Sequence, residues 1–238
     1  MKTWKTLTAA LLLAFTVSAC TTVTINRGPD DIPLEIIDFS LDNVWRVHAG
    51  QGFGSGFSID EDYVLTACHV VDGLLQAGQP AFLTNDRDTR VVEMEVISCN
   101  KKVDVAILKK THGDDLLSTF QGFHPQPEMG KKMYGAGHGI GGPLEIQEGY
   151  VMRDVPKEAR VGADSHVYFT SALTVPGDSG SAAIALYDGV PLVIGIRVAV
   201  SVVRLSWTQI DLAQHFTYTV PLEDIYPELE KHIYNAQP

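Results

Sequence analysis

The chain has 238 residues, 45% hydrophobic and 20% charged, a globular composition with enough length for one large core or two smaller packed ones. Its formal charge is −11, and setting aside residues 1–19, which carry Lys2 and Lys5 and no acid, takes it to −13. That balance argues against nucleic acid and anionic membrane surfaces as partners. Lys101-Lys102, Lys109-Lys110 and Lys131-Lys132 read as solvated loop or strand ends. No internal repeat and no low-complexity linker interrupts the chain.

In chain order, the first segment, MKTWKTLTAALLLAFTVSA, sets two lysines before an apolar run from Leu7 to Val17. The run is short of the roughly 20 residues that span a membrane and fits a secretory signal. Its end, Val17-Ser18-Ala19-Cys20, resembles a bacterial lipoprotein signal box; the alternative is an ordinary signal peptide with an incidental cysteine. The resemblance implies cleavage after residue 19, lipidation of Cys20 and a membrane partner held only through that lipid anchor. Thr21, in place of an aspartate, implies the outer membrane facing the periplasm. Residues 20–41 then read as the lipidated N-terminus and a tether, stiffened by Pro29 and Pro33.

From residue 43 the pattern is β. NVWRVHAG, GSGFSI, YVLTA, AFLTN, VVEMEVIS and DVAILK are short Val-, Ile-, Leu- and Phe-rich runs broken by Gly, Asp and Asn. After a less regular region over 111–130 come KKMYGAG, LEIQEGYVM, HVYFTSAL, SAAIALY, LVIGIRVAVSVV and FTYTVPL. Six runs and six more predict an all-β fold of two six-stranded antiparallel barrels, 42–115 and 116–238. The second ends in a helix over 221–235, whose first part Pro227 makes doubtful. With Cys20 lipidated, Cys68 and Cys99 remain in an oxidising compartment. They can pair, or stay as two buried thiols.

The segment TVPGDSGSAAI, 174–184, gathers two glycines and an acid around Ser179. As a turn it needs no further explanation, since Pro176-Gly177 is a turn dipeptide. As a nucleophile loop it supplies a hydroxyl, with glycines that let backbone N–H groups approach a developing oxyanion. Such a serine needs an imidazole, and the imidazole an orienting acid. Among the eight histidines, His69 in YVLTACHVVDG stands at a strand end before a short turn. Asp104, in KKVDVAILK, sits just before an apolar strand, where a buried carboxylate requires hydrogen bonds. Taken alone it reads as an exposed strand-start residue. His138 in GAGHGIGG reads as a hairpin loop residue.

GSGFSIDEDYVLTACHVV, DVAIL and PGDSGSA occur in that order on an all-β background, and together resemble the chymotrypsin-like (trypsin-like) serine peptidases over roughly residues 43–235. The resemblance implies two perpendicular barrels with a triad between them: His69 as general base, Asp104 as its orienting acid and Ser179 as nucleophile. The Gly177 and Ser179 N–H groups would form the oxyanion hole, and peptides or proteins would be the substrate, with no cofactor and no metal. Cys68 stands where the family has alanine, and Ser181 follows the second motif glycine, closer to the bacterial glutamyl-endopeptidase and HtrA-related branch. The residues after Ser179 suffice to finish a barrel and a helix, so the PDZ domain of HtrA proteins is not expected. No Arg- or Lys-led activation sequence directly precedes the first strand, so Asp178 is expected to be hydrogen-bonded internally in an enzyme active without cleavage.

By the same resemblance, the pocket for the residue before the cut is walled by Thr174 and by the strand carrying Arg197 and Ala199. Leu173 stands where trypsin has its pocket acid, so a Lys or Arg preference is not expected. Arg197 is expected to meet a substrate Glu or Asp; the alternative is that it pairs with an internal acid or snorkels to solvent and leaves a small apolar pocket. A catalytically silent or chaperone-like binding lipoprotein on the same fold is the alternative function, and an esterase a third; no G-x-S-x-G elbow supports the last.

Overall fold

The computed structural model describes residues 32–235 except 88–89, 114–115, 117, 126, 155–166 and 206–209, and within its strands not the side chains of 199–205 and 210–216. The signal segment, Cys20 and the first part of the expected tether lie outside the described residues. The twelve expected strands form, as β1 (Val44–Ala49), β2 (Gly52–Ser58), β3 (Tyr63–Thr66), β4 (Ala81–Thr84), β5 (Val92–Asn100), β6 (Val105–Lys110), β7 (Lys132–Gly137), β8 (Glu145–Asp154), β9 (Tyr168–Thr170), β10 (Ala182–Tyr187), β11 (Val190–Leu205) and β12 (Ile210–Val220). They close into two antiparallel barrels, β1-β2-β3-β6-β5-β4 and β10-β11-β12-β9-β8-β7. Closure leaves no unpaired edge on either sheet.

Side chains alternate across each strand, and on β3 and most of β6 both faces are buried. On β3 and β6, Val64, Ala106 and Leu108 enter a core with Trp45, Leu83 and Met94 that belongs to the first barrel. The opposite face, Leu65, Val105 and Ile107, joins Tyr134, Ala136, Ile184 and Ile196 of the second barrel in one continuous core. The barrels are therefore packed against each other through apolar side chains. Each such aliphatic side chain contributes about 1.5–3 kcal/mol on burial.

Three helices matter to the site. The expected tether gives way to α1 (Leu34–Asn43), which buries Ile36 and Phe39 in the shared core. Its last residue, Asn43, bonds Thr119 through both ends of its amide, fixing the connection between the barrels. Immediately after β3, where a short turn was expected, the chain forms α2 (Cys68–Ala77), with Cys68, Val71 and Leu74 buried at helical spacing. The C-terminal helix α3 (Leu222–Leu229) forms despite Pro227 and continues as a wider turn through Tyr234. Its Glu228 accepts hydrogen bonds from Ser98 Oγ (2.8 Å) and Asn100 Nδ2 (2.7 Å), tying the end of the chain to β5 of the first barrel. Among the described residues no helix is long and apolar enough to cross a membrane.

Cys68 and Cys99 are joined as a disulfide that closes a loop of sequence separation 31. Restricting the unfolded chain over that loop stabilises the fold by about 4 kcal/mol. The Cys68→Ala/Cys99→Ala variant is expected to unfold about 10 °C below the parent in calorimetry. A shift under about 2 °C would show that the bond does not restrain the unfolded chain in this way.

Candidate active site

The sequence of α2 offers no side-chain cap: Ala67 precedes it, and its first N–H groups need acceptors from elsewhere. Asp104 supplies them. Its carbonyl accepts from Cys68 N (3.1 Å) and its Oδ1 from His69 N (2.9 Å). Its Oδ2 lies 2.7 Å from His69 Nδ1. One carboxylate thus caps the helix and orients the imidazole that the helix carries. To do so Asp104 adopts φ +55°, a left-handed conformation that Asp and Asn tolerate best among residues with a Cβ. The disulfide brackets the same pair, since Cys68 adjoins His69 and Cys99 lies one turn before Asp104.

The hydrogen bond from Asp104 raises the pKa of His69 above the ordinary imidazole value; burial opposes this and the charges of Asp104 and Asp72 assist it. An imidazole accepts a proton only in its neutral form, so a reaction that used His69 as a base would be lost as pH falls through this raised value. The pairing also stabilises the folded state at pH below the imidazole's unfolded pKa, and that contribution is lost as pH rises through the folded one.

Ser179 lies in the loop between β9 and β10. Gly177 has φ +103°, open only to glycine without strain. Neither its N–H nor that of Ser179 has an acceptor among the described residues. The loop's carbonyls are held instead: Ser55 N donates to Ser179 O (2.8 Å), Ser55 Oγ to Gly177 O (2.8 Å) and Ile140 N to Pro176 O (2.6 Å). In a trans peptide each N–H opposes the preceding carbonyl, and the carbonyls that precede Gly177 and Ser179 are both engaged, Pro176 O by Ile140 N and Asp178 O by Ser181 N (3.0 Å). The nucleophile loop and the histidine segment converge at Gly54 and Gly180. A Cβ on Gly54 would lie 2.7 Å from Val70, the residue after His69, and 3.0 Å from Ser179 O. One on Gly180 would lie 2.7 Å from Ala67 N. Among the described residues the Ser179 hydroxyl donates to Val198 O at 3.4 Å rather than to His69. Catalytic hydrogen bonds often tighten only when substrate binds.

The substrate-pocket candidates are placed differently from one another. Thr174 is half-buried, with its hydroxyl 2.5 Å from that of Thr217. The side chain of Ala199 lies outside the described residues; its backbone pairs with Tyr218. Arg197 adopts the second arrangement the sequence allows: it is 1% exposed and faces Asp178, itself 1% exposed. Burial lowers the guanidinium's pKa and the charge of Asp178 opposes that shift. His138, read from sequence as a hairpin residue, is fully buried, its N–H donating to Ser55 Oγ at 2.8 Å.

The family model described as trypsin-like peptidase domain matches residues 54–196. The chain is 31% identical over 153 residues to a protein of Halomonas elongata named "probable periplasmic serine endoprotease DegP-like"; the match covers 62% of this chain and 29% of that protein. Rv3671c of M. tuberculosis, solved as a protease in its active form, is similar in fold, with a TM-score of 0.63 and 21% identity over 82% of this chain and 83% of its own. A serine endoprotease of Yersinia pestis superposes with a TM-score of 0.65 and 16% identity, over 84% of this chain and 67% of its own.

Proposed function

The chain belongs to the trypsin-like peptidase family, and from that premise we propose that it is a serine endopeptidase of the bacterial cell envelope, working through His69, Asp104 and Ser179. The observation that carries this reading is the His69–Asp104 pair at 2.7 Å, on a segment that meets the Ser179 loop at Gly54 and Gly180, where the N–H groups of Ser179 and Gly177 have no acceptor among the described residues. In the reaction the Ser179 hydroxyl passes its proton to His69 Nε2 as Oγ bonds to the scissile carbonyl carbon. The carbonyl oxygen takes the electron pair and is held by the two amides. Collapse of the adduct breaks the C–N bond, and the amine leaves with the proton from His69. Water, deprotonated by the same imidazole, then releases the acid and restores Ser179.

Purified full-length protein should be labelled by a fluorophosphonate probe, and a Ser179→Ala control should not. Labelling of both, or of neither, would remove the triad assignment; failure to label an intact fold would favour the silent binding module.

The same reading includes a lipid anchor on Cys20, supported by the Val17-Ser18-Ala19-Cys20 box and by the periplasmic name of the Halomonas relative. Each CH2 of an acyl chain contributes about 0.8 kcal/mol on burial, so two or more chains hold firmly. Cys20→Ser should move the protein from the membrane to the soluble fraction after a carbonate wash. A variant that stays with the membrane would remove the anchor from the proposal.

A further inference from the structure

The nucleophile loop holds a buried charge pair for which the steps of acyl transfer have no use. Asp178 stands between the two residues that offer the oxyanion donors, and its carboxylate is 1% exposed. Val175 N donates to its Oδ2 at 2.9 Å, and Arg197 Nη2 lies 3.7 Å from the same oxygen. A buried carboxylate with no counter-charge is strongly destabilising, and Arg197 is the one cation the described residues bring within ion-pair distance. Gly137 and Gly139, on either side of His138, pass close to this carboxylate, but the imidazole bonds elsewhere, to Arg46 (3.3 Å) and Gly142 O (3.1 Å).

Arg197 does more than neutralise. From β11 it touches the loop segment before, within and after the nucleophile. Nη2 donates to Leu173 O (2.5 Å) and to Thr174 Oγ1, and Nη1 to Ser181 Oγ (3.4 Å). Its backbone N–H donates to Ser181 O (2.9 Å) and its carbonyl accepts from Gly180 N (2.7 Å). Room for the guanidinium comes from Gly135 on β7, where any side chain would collide with it.

We propose that Arg197 is a positioning residue: an internal counter-ion for Asp178 that keeps the Gly177–Ser179 loop in its donor-presenting shape. It is not a reader of acidic substrates, because it is 1% exposed and its guanidinium is already engaged. This inference rests on the serine-peptidase reading.

The test compares full-length wild type with Arg197→Met, Arg197→Lys and Asp178→Asn. The readouts are kcat and KM on a peptide panel, and the rate of fluorophosphonate labelling. Removing one oxyanion donor costs about 100- to 1000-fold in kcat, so Arg197→Met is expected to lose about 100-fold or more in kcat with little change in KM. Labelling should slow in parallel. The loss should reflect the missing pair and not a missing contact to substrate, so Arg197→Lys should recover part of the rate and leave KM unmoved. A folded Arg197→Met with wild-type kcat would overturn the proposal, as would a loss confined to substrates with Glu or Asp before the cut. If Arg197→Met does not fold, Asp178→Asn decides, since a wild-type kcat there would overturn it equally. A wild-type protein that fails to label at all would instead remove the peptidase reading on which the proposal rests.

Discussion

Ser179→Ala is expected to lower kcat/KM against a peptide by roughly five to six orders of magnitude, with KM nearly unchanged. The substitution removes only the oxygen that attacks. Ser179 contributes its N–H to the oxyanion site through the backbone, and the carbonyls that orient the loop remain bonded to Ser55 and Ile140. A residual acceleration of about 1000-fold over water should therefore survive from binding and the two amides. Steady-state kinetics on protein freed of contaminating peptidase checks this. Activity above about 1% of wild type would mean that another group is the nucleophile.

Asp104→Asn should cost about 10,000-fold in kcat. In the proposed mechanism the carboxylate holds the proton of His69 on Nδ1, leaves Nε2 as the base and stabilises the imidazolium that forms. An amide can do neither reliably, and one of its rotamers favours the wrong tautomer. Asparagine is the informative replacement because it tolerates the left-handed conformation at this position and keeps an oxygen able to cap His69 N. Alanine would add backbone strain and an uncapped helix to the loss of charge. Since the Asp104 hydrogen bond is the main cause of the raised His69 pKa, the acidic limb of the remaining activity should move to lower pH. A variant with normal melting, wild-type kcat and an unmoved limb would show that Asp104 serves the helix alone.

The cap also shows where sequence reasoning fell short. The segment after His69, VVDGLLQA, has two β-branched residues in succession and no capping side chain, so it looks like the end of a strand. Cys68, Val71 and Leu74 carried a helical spacing that was the available signal. The stop on the helix's N-terminus is Asp104, 35 residues away along the chain. Likewise the approach DIPLEIIDFSL reads as a stiffened tether because Pro33 stands out, with Pro29 just before it. Its apolar residues become a helical face only when the shared core is there to receive Ile36 and Phe39.

The sequence by itself determined the twelve strands and their division into two sixes, because period-two alternation and turn residues are local properties of the chain. It also determined the order in which His69, Asp104 and Ser179 occur. Only the tertiary structure decided which groups meet: that Cys68 bonds Cys99, that Asp104 caps the helix it serves, and that Arg197 faces Asp178 rather than the cleft. The reason is physical. A strand's pattern is set by its neighbours in sequence. The partner of a buried charge is set by the closure of a barrel, which brings residues together from distant segments and leaves a guanidinium no solvent to reach.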